Sequence, residues 1–137
     1  MLKKFNLLLI FILLWWACSN QNAIKKKWVV SNVEFIYNSN EKADTLMQNI
    51  TEGVLKNLLL NNVYDFSEDK KCTISGNNHS TTFNYKLIKR GSFIEFSNDN
   101  SSKEVEVENL NENELVLITH NDQSSIKTKL ILKPYLQ

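Results

Sequence analysis

The stretch TTFNYKLIKR, residues 81–90, decides the fold because its apolar side chains recur at every second position. Phe83, Tyr85 and Leu87 alternate there with polar residues. Successive side chains of a β-strand point to opposite faces, so this spacing gives one apolar and one polar face. Such a strand is typical of an antiparallel sheet that covers a core with one face and meets water with the other.

The same alternation returns in SKEVEVENL at residues 102–110 and in SIKTKLILK at residues 125–133. Between these segments lie clusters of Asn, Asp and Gly, which tolerate the left-handed backbone of tight turns. We therefore predict eight strands, at 27–37, 62–67, 71–76, 81–89, 92–98, 102–110, 114–120 and 125–133. Short strands joined by tight turns at regular intervals predict a mainly β chain folded as a sandwich or a barrel.

Residues 41–60, EKADTLMQNITEGVLKNLLL, break this pattern because their apolar residues stand at helical spacing. They predict one inserted amphipathic helix of about five turns, with Asn61 as its stop. Residues 93–96, 115–118 and 130–132 are nearly continuous apolar runs, which indicates strands buried on both faces. We therefore expect the helix to cover the outer side of those strands, or to close one end of a barrel beside them.

The N-terminus has the pattern of an export signal. Lys3 and Lys4 precede an apolar run of eleven residues from Leu7 to Ala17. A helix that spans a bilayer needs about 18 or more apolar residues, so this run is too short to span and suits a signal peptide.

The residues that end this run, Trp15-Trp16-Ala17-Cys18, resemble the lipobox of bacterial lipoproteins. The resemblance implies cleavage after Ala17 and attachment of diacylglycerol, with palmitate as a typical acyl chain, to the thiol of Cys18. The predicted segments are a lipoprotein signal peptide at 1–17, a lipidated cysteine with its tether at 18–25, and a folded domain at 26–137. The alternative is an ordinary signal peptide, with Cys18 incidental or disulfide-bonded.

The same resemblance predicts where the protein lies and what holds it there. The partner implied for Cys18 is a membrane, through the lipid anchor. The residue after the cysteine is Ser19, not the acidic residue of a retention signal. By resemblance to lipoprotein sorting this favours the outer membrane, with the protein facing the periplasm or the cell surface. The expected location is therefore the cell envelope.

Several residues of the folded domain resemble those of bacterial lipocalin-like domains. The pattern with which those domains begin is matched by Ile24, Lys26 and Trp28, and their aromatic hairpin is matched by Tyr64, Phe66, Asp69 and Lys70. The strands with which those domains end resemble Glu114–Ile118 and Lys127–Leu132 of this chain. The resemblance implies an eight-stranded antiparallel up-and-down barrel or a half-open sheet at 26–137. Lysine stands at 26 and 70 where glycine is usual, and lysine at positive φ is strained, so we expect the turn at 69–70 to differ in type.

Neither the composition nor the motifs of the chain point to nucleic-acid binding, catalysis or a metal site. Without Lys3 and Lys4 the chain carries 14 basic and 15 acidic residues, a net charge of −1, which argues against a nucleic-acid partner. His79, Ser80, His120 and Cys72 follow neither a nucleophile-elbow pattern nor a metal-ligand spacing. We therefore predict no catalytic residues, no metal, no cofactor and no enzymatic activity.

The barrel interior is the remaining place for function, because eight strands enclose a space that side chains fill or that holds one small ligand. The candidate lining residues are bulky: Trp28, Phe66, Phe83, Tyr85, Phe96 and Leu117. Two hypotheses stay open. The protein carries or senses a small hydrophobic ligand in a barrel pocket, or it is a structural or protein-interaction module with a filled barrel core and an envelope protein as its partner.

Overall fold

The computed structural model describes residues 21–38, 45–120, 122 and 126–137. Residues 1–20, which include the predicted signal peptide and Cys18, lie outside the described residues, as do residues 41–44 of the predicted helix. The described part contains one helical turn over 21–24, a short 3-10 turn at Lys89–Gly91, a longer helix and eight strands. Their bounds are β1 Lys27–Ile36, α1 Thr45–Leu59, β2 Val63–Asp65, β3 Lys71–Gly76, β4 His79–Ile88, β5 Phe93–Ser97, β6 Ser102–Leu110, β7 Leu115–His120 and β8 Lys127–Pro134.

The strands form a closed barrel in chain order, each antiparallel to its neighbours, and β8 returns to pair with β1. This confirms the predicted mainly β, eight-stranded antiparallel barrel with one helix, and the sheet is closed rather than half-open. In the closing seam Val33 pairs with Leu130, and a bulge at Ser31 shifts the register between Val30 and Asn32. Bulges of this kind bend a strand, which helps a sheet to curve into a barrel.

The barrel has two distinct ends. The connections 66–70, 89–92 and 111–114 lie at the end where β1 begins, which we call the closed end. The turn over 21–24 covers this end, where Lys26 donates through Nζ to the carbonyl of Glu112 at 3.1 Å. The loop 98–101 lies at the other end, which we call the open end.

The half of the barrel next to the closed end is filled with side chains. Its fully buried members include Ile24, Trp28, Phe66, Leu115 and Leu132. The Trp28 indole N–H donates to the carbonyl of Ile24 at 3.0 Å. This bond fixes the ring that fills the closed end to the turn that covers it. Ile24 thus belongs to the packed core although it lies in the segment predicted as a tether, 18–25.

Helix α1 does not pack as expected. Its apolar side chains face solvent, with Met47 61%, Ile50 56% and Val54 55% exposed. Its polar residues Asn49, Glu52 and Lys56 instead line a shallow groove with residues 33–35 of β1. The prediction that the helix covers the outer side of strands 93–96, 115–118 and 130–132 is therefore wrong, and its apolar face does not close an end of the barrel beside them either.

The backbone that follows α1 explains this placement. Asn61 has a left-handed φ of 67°, which confirms it as the helix stop. Its N–H donates to the carbonyl of Val30 at 3.0 Å, and the carbonyl of Asn62 accepts from the Val30 N–H at 2.9 Å. These bonds hold the end of the helix beside β1, where Leu59 and Leu60 reach the core. The helix therefore lies away from β7.

The outward apolar residues of β7 are covered by neighbouring strands. Val116 and Ile118 are buried, and Ile118 pairs in register with Glu106 on one side and Lys129 on the other. Lys129 forms an ion pair with Glu108 at 2.8 Å on the same outer surface. Long charged side chains lay their methylene stems over apolar neighbours, so β7 is buried on both faces without a helix.

The turn at residues 69–70 holds a lysine in a backbone conformation that is strained for it. Lys70 adopts a left-handed φ of 59°, the conformation that glycine takes most readily. Its carbonyl accepts a hydrogen bond from the N–H of Tyr85 at 3.0 Å, so the adjacent strand holds this backbone in place. The expected difference in turn type stays a prediction; the structure adds that Lys70 itself takes the left-handed conformation.

Candidate functional site

The half of the barrel next to the open end holds a cavity of about 290 Å³. Its wall is formed mainly by apolar and aromatic side chains that point inward from β2 to β7: Tyr64, Ile74, Phe83, Phe96, Val105 and Leu117. Three polar residues complete the lining: Ser101, Lys103 and Thr119. The cavity is therefore an apolar space with polar groups confined to a few positions, which is the usual character of a small-molecule site.

The packed half of the barrel forms the floor of this cavity. Phe96 meets Phe83 edge-to-face with ring centroids 6.3 Å apart, and it meets Phe66 below with centroids 6.2 Å apart. Phe66 in turn packs edge-to-face on Tyr85 at 4.9 Å. This chain of ring contacts fixes the aromatic wall, because each ring is held by a neighbour that belongs to the core.

Lys103 is the charged group of the cavity lining in the described part of the chain. It pairs in register with Phe96, and alternation along β6 places it on the same inward face as Val105. Lys103 and Ser101 are exposed to solvent, so they lie at the mouth of the cavity. Among the described residues Lys103 makes no ion pair, which leaves a cation at the mouth.

Tyr64 brings a second polar group to the cavity. Burial raises the pKa of its phenol to about 12, with a smaller contribution from the nearby Cys72 thiol. The hydroxyl therefore keeps its proton at neutral pH. It makes no hydrogen bond with any other described residue, so it is a donor available to a bound molecule or to water.

Cys72 lies in the packed core and not in the cavity lining. Its side chain is fully buried, and burial raises the pKa of the thiol to about 12, with a contribution from Asp65. A thiol with so high a pKa is protonated at neutral pH and is a poor nucleophile and a poor metal ligand. Cys72 thus behaves as a small buried apolar residue.

Three of the six predicted lining residues line the cavity: Phe83, Phe96 and Leu117. Trp28 and Phe66 are buried in the packed half, and Tyr85 lines a separate groove beside Ile24 at the closed end. The sequence analysis did not identify the other lining residues: Tyr64, Ile74, Ser101, Lys103, Val105 and Thr119. One signal was present, because SKEVEVENL places a lysine on the same strand face as its two valines.

The two histidines lie apart from the cavity lining. His79 is exposed where β4 begins, and His120 lies 3.8 Å from a carboxylate oxygen of Glu106 on the outer surface. Within the described ranges no group of three or more His, Cys, Asp or Glu side chains is arranged to hold a metal ion. Neither helix in those ranges has the length and apolar character to cross a membrane.

Comparisons with known proteins add no assignment to this geometry. The chain matches no protein-family model, no curated protein and no solved structure. The cavity, its lining and the N-terminal sequence are therefore what any functional proposal for this chain rests on.

Proposed function

We propose that this protein is a lipid-anchored lipoprotein of the bacterial cell envelope whose lipocalin-like barrel binds a small apolar ligand. The observation that carries the proposal is the cavity of about 290 Å³ with an apolar wall. Ligand pockets usually enclose about 300–1,000 Å³, and an eight-stranded barrel holds one small ligand at most. The proposed activity is binding, without catalysis.

The anchor rests on the N-terminal sequence. The apolar run 7–17 ends at Cys18, which suits lipidation of its thiol. One acyl chain binds a membrane marginally and two or three bind it firmly, because each buried methylene contributes about 0.8 kcal/mol. The proposed location is the outer membrane, with the barrel in the periplasm or at the cell surface.

The position of the first described residue indicates which end of the barrel would face the membrane. Gln21 lines a groove with Asp69 and Lys70 at the closed end of the barrel. Cys18 precedes it by three residues, which extend over about 10 Å at most. A lipid on Cys18 therefore places the closed end against the bilayer and the cavity mouth away from it. In this orientation the ligand exchanges with the surrounding aqueous space.

Titration calorimetry with 1-octanol tests the binding function. We use the chain from residue 18 with Cys18→Ser, refolded from denaturant so that no ligand is carried over. Leu117→Trp places a larger side chain in the cavity and should abolish the binding heat. Val54→Trp adds the same side chain on the exposed face of α1 and should leave it unchanged. Absence of binding in the parent, or equal binding in both variants, would contradict the proposal.

The exposed apolar face of α1 favours a second candidate function, a protein-interaction module of the envelope. Ile50, Val54 and Leu58 lie one helical turn apart and are each about half exposed. In this case an envelope protein covers the helix face, and the barrel serves as the scaffold.

Site-specific cross-linking distinguishes this second function. A photoactivated cross-linker at Val54 in living cells should yield one adduct with a reproducible mass and identity. The matched position is Asn57, an exposed polar residue of the same helix, which should yield none. Equal adducts at both positions, or none at Val54, would remove the support for this candidate.

A further inference from the structure

We infer that the ligand of the barrel cavity is an anionic amphiphile, a medium-chain carboxylate, whose head group pairs with Lys103 at the mouth. The inference rests on the proposed binding function and specifies the class of ligand. It comes from the position of one lysine relative to an apolar wall.

Lys103 is charged at a position where the strand pattern calls for an apolar residue. It pairs in register with the buried Phe96, and the next inward residue of β6 is the buried Val105. The other lysines of the described strands that make ion pairs, such as Lys86 with Glu95 at 3.3 Å, stand on the outer surface. Lys103 therefore differs in facing the cavity rather than a cross-strand carboxylate.

The acidic residues of the same strand are already engaged elsewhere. Glu104 accepts from Lys89 at 2.9 Å, Glu106 lies 3.8 Å from His120, and Glu108 pairs with Lys129 at 2.8 Å. Glu104 and Glu106 alternate with inward residues and so face outward, and Glu108, in the bulge of β6, meets Lys129 on the outer surface. Among the described residues no carboxylate neutralises Lys103, which leaves its charge available to a ligand.

The other polar groups at the mouth have partners. The hydroxyl of Ser101 donates to Asn98 Oδ1 at 3.1 Å, and the hydroxyl of Thr119 donates to the carbonyl of Thr128 at 3.4 Å. Lys103 is thus the ammonium donor left at the mouth. A carboxylate at the mouth stays partly hydrated, whereas an anion deeper in the apolar space would lose its water at a high cost.

The volume sets the size of the ligand. One water occupies about 30 Å³ of liquid, so a cavity of about 290 Å³ has room for roughly ten non-hydrogen atoms. Octanoate has this size and joins an apolar chain to a single carboxylate. A chain of this length fills the apolar part of the cavity while its head group reaches Lys103.

The experiment compares octanoate, 1-octanol and octylammonium, which share one chain and differ in head group. Each is titrated by calorimetry into the chain from residue 18 with Cys18→Ser. We expect octanoate to bind most tightly and octylammonium most weakly. Lys103→Met should weaken octanoate binding about fivefold to tenfold, as expected for a partly exposed charge-assisted contact, and leave 1-octanol binding within about twofold.

Two variants control for charge and fold. Lys103→Arg keeps the cation and should retain the preference for octanoate. Lys127→Met removes an exposed lysine at the same end of the barrel that does not line the cavity, and it should change no affinity. The two proposals fail in different ways. Binding of 1-octanol without a preference for octanoate, or an unchanged preference in Lys103→Met, overturns the carboxylate inference alone. Absence of binding by all three compounds overturns both.

Discussion

Replacement of Trp28 by alanine tests whether one indole seals the closed end of the barrel. Trp28 is fully buried, and its N–H donates to the carbonyl of Ile24 at 3.0 Å. Substitutions of a buried tryptophan by alanine cost about 3–5 kcal/mol, because packing is lost and a void remains. The hydrogen bond accounts for about 1 kcal/mol of this, since the Ile24 carbonyl keeps a second donor, the N–H of Lys26 at 2.7 Å.

The expected loss is large relative to the stability of a domain this size. Single domains unfold with about 5–15 kcal/mol, and urea lowers that free energy by about 2 kcal/mol per molar. A loss of about 4 kcal/mol therefore moves the urea midpoint down by about 2 M. Trp28→Phe keeps an aromatic ring and loses the hydrogen bond, so we expect a shift of about 0.5–1 M.

Far-ultraviolet circular dichroism is the suitable assay. Trp28 is the one tryptophan after residue 18, so fluorescence would follow the mutated residue itself. Val54→Ala, on the exposed face of α1, is the control and should move the midpoint by less than about 0.3 M. A shift of the urea midpoint below about 0.5 M for Trp28→Ala would refute the view that packing of the indole holds this end together. If the alanine variant does not fold, the shift measured for Trp28→Phe decides the test.

Three further predictions concern single residues. Lys70→Gly should raise the free energy of unfolding by about 1 kcal/mol in urea melts, because glycine adopts the positive φ of 59° without strain; an unchanged or lower value would contradict this. The Cys72 thiol should resist maleimide at neutral pH until the protein unfolds. Because the folded thiol keeps its proton to a pKa of about 12 while the unfolded one ionises near 9.0, stability should fall as pH rises above about 9, and a Cys72→Ala variant should lose part of that decline. Cys18→Ser should abolish incorporation of labelled palmitate in cells, whereas labelling that persists would locate the lipid at another residue.

Much of the barrel was predictable because its strands obey a two-residue period. The alternation around Phe83 and around Val105 predicted β4 and β6 within two residues of their observed bounds. The stop of α1 at Asn61 was predictable for a similar local reason, since asparagine tolerates a left-handed backbone. The direction of the apolar face of α1 was not, because it depends on hydrogen bonds between Val30 and residues distant in the sequence.

The cavity was predictable only in part, for a geometric reason. A two-residue period shows which side chains point inward, but not how far along the barrel axis each one lies. Phe66 and Phe83 both point inward, yet Phe66 fills the core and Phe83 lines the cavity. The stagger between strands decides this height, and it arises from the register and the bulges of the closed sheet. Lys103 was overlooked because its charge suggests an outward residue although its position in the alternation is inward.

The seam between β1 and β8 has a consequence for the nascent chain. The Ser31 hydroxyl donates to the carbonyl of Ile131, a residue 100 positions later, and most of β1 pairs with β8 along the same seam. Ribosomes add about 5–20 residues per second, so the first strand emerges about 5–20 s before its partner exists. Unpaired strand edges readily accept strands from other molecules. A partner that shields the newly made β1 during this interval, such as a chaperone, would therefore raise the yield of folded barrel without affecting its final stability.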